Sequence, residues 1–444
     1  MQSQNIVLNC GNSINLNFCW LSGSVYKFFI SVSMNTRLFF ISICWVLSAT
    51  VLKAQNCGCT DPLAANFNPS AVINDGTCVY AAASILPLSS FILQSELNET
   101  SGLIKWNSNI WTHADNSSIT IYGLDTLTGN IVQTKPLNGV INIDWEEISQ
   151  DAGYVYIGDF GNNGNGNRMD LRILRIEKNS LLADAPQIDT IAFSYSNQTG
   201  FAPTGSNNTD FDCEAFVVSS DSIYLFTKQW VSEQTGVYAL PKTPGVYIAS
   251  LQSTYNVNGL ITGSVYLEDK RLVALCGYSS NIQPFVLLLY DFSGRDFFSG
   301  NKRKIGVSLP FHQIEGITTS DGLRYYMSNE YLSYSFITNL QKLHIFDFYS
   351  YLSNYLHSVT ATTSSNRSRI IRIYPNPISD ELVIEMEGNR GKMNFEIVNA
   401  SGQVVFKGEM IDKVTVEANT FAPGVYWVKV GKGETAELKM MLKE

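Results

Sequence analysis

One short pattern recurs along the middle of the chain and limits how the rest can fold. It reads as a polar residue, a larger or apolar one, Glu, a variable residue, then an apolar one. Asp144-Trp145-Glu146-Glu147-Ile148 has this order, as do Asp212-Cys213-Glu214-Ala215-Phe216 and Gln313-Ile314-Glu315-Gly316-Ile317. Each copy leads to a turn carrying Asp151, Asp221 or Asp321. A second strand follows, "YVYIGDF", "IYLFTKQ" or "RYYMSNE", and ends in a polar group. Two weaker copies place Ser101 ("ETSGLI", then "IWTHAD") and Thr262 ("LITGSV", then "RLVALCGY") at the Glu position.

Five strand-turn-strand copies at roughly 45–70 residue spacing signal a repeat architecture, and a unit of this size is a propeller blade, usually of four strands. The segments "ITIYGLD", "LRILRIE", "TIAFSYS", "GVYALP", "FVLLLYDF" and "KLHIFDF" supply outer strands. "SILPLSSFILQSE", ahead of the first copy, is placed to complete the last blade and close the ring. Composition agrees: the 444 residues include 22 Tyr and 24 Phe, and short aromatic and β-branched runs alternate with turn residues. The expected fold is all-β, a five- or six-bladed β-propeller over residues 84–356. A two-sheet sandwich is the rival, but it gives no reason for a recurring Glu. The net charge of −9 argues against a nucleic-acid partner, which needs clustered Lys and Arg.

Inner strands of a propeller begin near its axis. Glu146, Glu214 and Glu315 are therefore expected to converge there, with Asp144 and Asp212 beside them and Asp115, Asp159 and Glu330 in a second layer. Within "DFDCEAF", Asp210, Asp212 and Glu214 also share one strand face by alternation. Gathered carboxylates raise each other's pKa or take a cation, so a calcium or magnesium site is one reading. The other is that the acids bond to backbone N–H groups of neighbouring blades and lock the ring. "GDFGNNGNGNR" (158–168) has neither the Gly-Lys-Ser/Thr nor the following helix of a phosphate loop. No Gly-x-Ser-x-Gly elbow is present. His113 and His312 are isolated candidate bases.

"SGLI…WTHAD", "DWEEI…YIGDFGNN" and "QIEGI…YYMSNE" together resemble a broad group of bacterial propellers that includes phytase-like and esterase-like proteins. That resemblance implies axial acids holding cations, but the chain lacks the Lys/Arg cluster a multi-phosphate substrate requires. Arg168, Arg172 and Arg175 stand at strand spacing. Two functions follow: an exported binding protein with an acidic central channel and an unknown extracellular ligand, or a cation-dependent phosphoesterase or esterase-like hydrolase.

The ends of the chain concern export. Residues 1–33 read as an extension from a mis-set start codon. Residues 34–54 read as a signal peptide, with Arg37, an apolar run from Leu38 to Leu52, and Ala54. The run is short for a membrane span, so no integral span is expected after its removal. Residues 55–80 form a turn-rich module bounded by cysteines, with Cys59–Cys78 the expected disulfide and Cys57 left over. The module resembles the "GCTDPxAxNYNP…DDGSC" repeats of secreted bacterial proteins, which implies a calcium-type loop using Asp61, Asn66, Asn68, Asn74 and Asp75; a rigid spacer is the alternative. After a linker at 357–368, residues 369–444 alternate as a small Ig-like β-sandwich. "YPNP" (Tyr374, Pro375, Asn376, Pro377), "IVNASGQVV" with Gly402, and "APGVYWVKV" with Gly424 and Tyr426 resemble the C-terminal sorting domain of the type IX secretion system of Bacteroidetes. The resemblance implies Sec export to the periplasm, recognition by the outer-membrane translocon, and release or attachment at the cell surface.

Deleting residues 369–444 is expected to abolish surface delivery in a host with this secretion system and leave the propeller folded. Immunoblots of medium and periplasm decide it: normal delivery of the truncated chain would overturn the assignment.

Overall fold

The computed structural model describes residues 56–444, except 335–336, 365–370, 387–391, 412 and 431–436. The expected extension (1–33) and signal peptide (34–54) lie outside the described residues. The chain divides into two compact units, residues 1–356 and 357–444.

The first unit is a β-propeller with five blades among the described residues. Blade 1 runs Ile104–Trp106, Asn109–Thr112, Thr120–Leu124 and Ile131–Pro136. Blade 2 runs Trp145–Gln150, Tyr154–Asp159, Arg172–Glu177 and Ile188–Tyr195. Blade 3 runs Asp212–Val218, Ser222–Lys228, Gln234–Pro241 and Gly245–Asn256. Blade 4 runs Leu260–Leu267, Leu272–Tyr278, Pro284–Tyr290 and Asn301–Val307. Blade 5 takes only three strands from its own stretch: Ile314–Thr319, Arg324–Asn329 and Lys342–Asp347.

The missing strand comes from the other end of the unit. Ser89–Ile92 pairs antiparallel with Lys342–Asp347, from Lys342↔Ile92 to Ile345↔Ser89. Just before it, Ser84–Ile85 adds a fifth, parallel strand to blade 4 at Gly306↔Ser84. "SILPLSSFILQSE" thus serves two blades rather than one. The outer strands of blades 2 and 3 also pair, parallel, from Ile191↔Gly245 to Tyr195↔Ala249, so these blades form one continuous sheet.

The inner hairpins are set by local chemistry. Asp151 Oδ1 accepts from the N–H groups of Gly153 and Tyr154 at 2.9 and 2.8 Å. Asp321 Oδ1 does the same for Leu323 and Arg324 at 2.8 and 2.9 Å. These Asx turns release each chain directly into its second strand. Apolar layers fill the gaps between blades: Phe160, Phe216 and Tyr238 are buried between blades 2 and 3. Val237, Leu275 and Phe297 are buried between blades 3 and 4. A helix, Tyr349–Ser364, follows blade 5, with Leu352 and Leu356 in the core. Residues 357–364 of the expected linker are therefore helical, because these leucines and the Tyr355 hydroxyl, which donates to Lys270 O at 2.7 Å, anchor the first turns.

The cysteine module is part of this unit. Cys59 and Cys78 are disulfide-bonded, and Cys57, left over in the sequence reading, is itself disulfide-bonded. Asp61 is buried and accepts from the hydroxyls of Tyr80 and Tyr290 at 2.8 and 2.5 Å. Asn74 Nδ2 donates to Asp291 and Asn301 at 3.1 and 2.9 Å. Asn66, Asn68 and Asp75 accept from N–H groups within the module's own turns. The side chains of the implied calcium loop thus take part in the module's turns and in its docking on blade 4.

The second unit holds two sheets over one core. One contains Ile371–Tyr374, Glu381–Met386 and Lys413–Glu417. The other contains Val404–Met410, Met393–Asn399, Gly424–Val430 and Glu437–Lys443. Leu382, Ile384, Phe395, Ile397, Val428 and Met441 are buried between them, as a β-sandwich requires.

Replacing Ser89–Ile92 by a Gly/Ser segment of equal length is expected to open the ring and bare the edge of Lys342–Asp347, which promotes association between chains. Size-exclusion chromatography and calorimetry read the outcome. A monomer with unchanged melting would show that closure does not hold the propeller together.

Candidate functional site

The inner strands share an irregularity that the repeat alone does not reveal. In blade 2, Gly158 pairs with Glu147 and Asp159 with Trp145, so Glu146 is an extra residue. Blade 3 skips Glu214 between Cys213 and Ala215, blade 4 skips Thr262 between Ile261 and Gly263, and blade 5 skips Glu315 between Ile314 and Gly316. In blade 1 the register also slips by one between the Thr100↔Ala114 bridge and Ile104↔Trp111, around Ser101. A β-bulge at this point re-aims the extra side chain.

The bulged residues split into two kinds. Ser101 Oγ donates to Glu146 O, and Thr262 Oγ1 donates to Ile314 O at 2.5 Å. These hydroxyls tie blade 1 to blade 2 and blade 4 to blade 5. Glu146, Glu214 and Glu315 are buried, and none accepts a backbone N–H among the described residues. Ligand oxygens of Glu146, Asp212 and Glu214 lie within 4.8 Å of one another, and so do those of Asp115, Asp144 and Glu146. Glu146 belongs to both groups, and its Oε1 is buried without a partner. This buried acidic cluster has the donor set to hold a metal ion.

Burial is the main force on these groups, and like charge adds to it. Burial raises the Glu146 pKa well above the carboxylate range, helped by Glu214, Asp115, Asp144 and Asp212. Burial also raises Glu214 and Glu315, with Lys228 opposing in both cases. Asp115 is pushed up to about 7 by burial, then by Asp144, Glu330 and Glu99. Burial moves Glu330 to about 7 and Asp144 to about 6.

Two cations stand at the acidic space, and each is engaged. Lys228 Nζ lies 2.5 Å from Glu214 Oε2 and 3.1 Å from the Tyr278 hydroxyl, and 4.6 Å from the ring centre of Trp230. Burial alone would lower the Lys228 pKa, but Glu214, Tyr278, Glu315 and Asp212 outweigh it and hold it well above the usual value. Arg168 pairs with Asp159 and Asp170, both at 3.1 Å, and stands 3.9 Å from Asp144.

The remaining expected acids differ in role. Asp212 accepts from Asn162 N at 2.7 Å and Trp230 Nε1 at 2.8 Å, so it is held while it faces the cluster. Asp115 and Glu330 adjoin the cluster from the ends of second strands. Asp159 is fully buried between Arg168 and Arg172, at 3.1 and 2.8 Å, and accepts from Asp144 N at 3.1 Å. It anchors the Asn/Gly-rich loop rather than facing the open acidic space. Asp210 lies before the strand and accepts from Val231 N and Ser232 N at 3.0 and 3.1 Å. His113 is buried, and burial lowers its pKa to about 4 against the opposing backbone groups of Ala114 and Glu147.

The residue after the bulge went unread in the sequence. It is Gly102, Glu147, Ala215, Gly263 and Gly316 in turn around the ring. Glu147 is fully buried. Its Oε1 accepts from Ile148 N at 3.0 Å, its Oε2 accepts from Ser264 N of blade 4 at 2.7 Å, and the Leu103 N–H of blade 1 also bonds it. A Cβ on Gly102 would fall 2.1 Å from Glu147 Oε1, so glycine there is a steric requirement. One long side chain and four small ones fill the axis.

In the sandwich, Asn376 Oδ1 accepts from Leu442 N at 2.8 Å and fastens the YPNP segment to the last strand. The Tyr374 hydroxyl donates to Glu385 at 3.0 Å and the Tyr426 hydroxyl to Ala422 O at 2.7 Å. Gly402 adopts φ 81° in the Asn399–Gln403 turn, where a side chain would be strained.

Fold and site together define an all-β propeller with a buried acidic space at its axis, joined in sequence to a β-sandwich. Residues 372–444 match the family described as the secretion system C-terminal sorting domain. This type IX module marks the protein for secretion to the cell surface or the extracellular space, and the secretion machinery is its partner. No curated protein matches the chain. The WD40 repeats of RRP9 are similar at 12% identity and TM-score 0.31, over 60% of this chain and 100% of theirs. A chain of a mitotic checkpoint complex gives 10% identity and 0.32, over 60% of this chain and 96% of that one. An exo-β-1,3-galactanase from Phanerochaete chrysosporium with galactose gives 10% and 0.36, over 84% and 98%. Likeness at these values carries no argument about activity. Among the described residues no helix is long and apolar enough to cross a membrane.

Glu147→Ala is expected to destabilise the propeller by about 3 kcal/mol or more, since each buried N–H left without an acceptor costs about 1–3 kcal/mol. Denaturant unfolding measures it. A loss below about 1 kcal/mol would mean that water replaces the carboxylate and that Glu147 does not bridge the blades.

Proposed function

We propose that the protein is an exported binding protein whose propeller holds a divalent cation, calcium, at the acidic space, and that the cation takes part in binding an extracellular ligand. The observation that carries this reading is Glu146. It is shared by two carboxylate groups and keeps a buried oxygen without a donor. An all-oxygen set of carboxylates suits a hard cation, and calcium tolerates irregular geometry better than magnesium. Without an ion the same acids must retain protons near neutral pH.

Hydrolysis has one observation in its favour: Asp115 and Glu330 titrate at about 7, where general acids and bases work best. Against a phosphoester substrate, Lys228 and Arg168 are already committed to Glu214, Asp159 and Asp170, so neither is available to hold an anion. Binding is the reading retained.

Melting in chelator and in calcium tests it. A hundred-fold excess over Kd stabilises by about 2.7 kcal/mol, which for a domain of this size is roughly 5–10 °C. Glu146→Gln is expected to fold and lose that response. The pH dependence has a defined sign. In chelator, Asp115, Glu330 and Asp144 titrate above the ~4 of an unfolded chain. The native state therefore holds more protons between about pH 4 and 7, and these groups lose their stabilising effect as pH rises through that window. His113 acts oppositely, since its stabilisation is lost as pH falls, so the comparison is with Glu330→Gln, which is expected to show a smaller decline. Identical melting in chelator and calcium would overturn the cation reading.

A further inference from the structure

The inner strands of blades 2, 3 and 4 start at the acidic space and end at hairpins on the other face of the ring. Six residues at about 3.3 Å each put the two faces of blade 2 roughly 15 Å or more apart. At that second face a cleft of about 530 Å³ opens between the hairpins, bounded by the turns at Asp151–Gly153 and Ser219–Ser220 and by Glu268 of blade 4. This lies within the usual size of small-ligand sites.

We propose that this cleft is a second binding site, for a neutral saccharide. Its charges come in opposite pairs. Lys242 Nζ lies 2.9 Å from Asp151 Oδ2. Arg175 pairs with Asp189 at 2.6 Å. Glu268 pairs with Arg295 and accepts from Ser220 N and Oγ at 2.8 and 2.9 Å. The charges that line the cleft balance, Asp151 and Glu268 against Lys242 and Arg175, so neither an anion nor a cation is favoured. A vicinal diol is, because each hydroxyl both donates and accepts, and the rim sets donors beside acceptors. An aromatic surface is also present: Tyr154 and Tyr266 line the cleft, with the Arg175 guanidinium stacked 4.3 Å from the ring centre of Tyr154. The C–H face of a pyranose packs on such a surface. The site is independent of the cation reading, since no residue of the acidic space lines it.

Isothermal titration of the full chain, in chelator, with cellohexaose, laminarihexaose, mannohexaose, xylohexaose and hexagalacturonate tests the proposal. At least one neutral hexasaccharide is expected to bind with a Kd below about 1 mM, a free energy of about −4 kcal/mol. Tyr154→Ala and Lys242→Ala are each expected to weaken it about tenfold with circular dichroism unchanged. If Tyr154→Ala does not fold, Lys242→Ala alone decides. Absence of binding by every neutral sugar, preference for hexagalacturonate, or affinity unchanged in the folded variants would overturn it.

Discussion

Five inner strands meeting at one axis leave room for very little, and the way that room is used governs the rest of the propeller. Gly102, Ala215, Gly263 and Gly316 keep their positions small, and Glu147 alone extends across. Its two oxygens bond backbone donors in blades 1, 2 and 4. A charged group in so dry a place is unfavourable unless hydrogen-bonded, and its pKa is raised by burial for that reason. With the axis filled, the bulged residues one step earlier cannot point down it. They turn to the mouth, where Glu146 and Glu214 meet Asp212. The acidic space is thus a by-product of a sealed axis.

This links packing to chemistry. In the bulged positions a hydroxyl reaches the next blade's carbonyl, as Ser101 and Thr262 do. A glutamate in the same position stands among other acids; among the described residues Lys228 pairs directly with Glu214 and acts on Glu315 from further off. The ring is therefore fastened by hydroxyls at two positions and by an ion pair at Glu214, while Glu146 and Glu315 have no counter-ion in contact among the described residues. A divalent cation would relieve this like-charge repulsion, which is the basis for the proposed site.

Much of this was legible in the residues. Period-two strands separated by Asp-containing turns gave the blades, and the recurring Glu aligned them, because equivalent positions in a ring face one axis. The tail was legible because its motifs follow in order over one sandwich. Other features depended on spatial neighbours. Asp159 looks like another acid at a strand end, yet Arg168 and Arg172 close over it. Glu147 looked variable because three of its four counterparts are glycine, and glycine reads as a turn residue until a neighbour's oxygen is found in its place. Lys228 ends a strand in the way many solvated residues do; its burial comes from blades distant in sequence. The helix over residues 357–364 was hidden in a Ser/Thr-rich stretch whose anchoring leucines precede it.

The strand that closes blade 5 leaves the ribosome long before its partner: Ile92 pairs with Lys342, about 250 residues later. Loop closure over such a distance is slow, and folding rates fall as contacts become more distant in sequence. For an exported chain that delay has a use. Secretion as an unfolded chain would call for an extended polypeptide, and a ring whose first and last strands must meet cannot complete itself while its C-terminal half is still behind. Local blades can form early, but the cooperative unit waits for the end of the propeller. The sorting domain is next to follow. In such a route, translocation order and folding order would be coupled through topology alone.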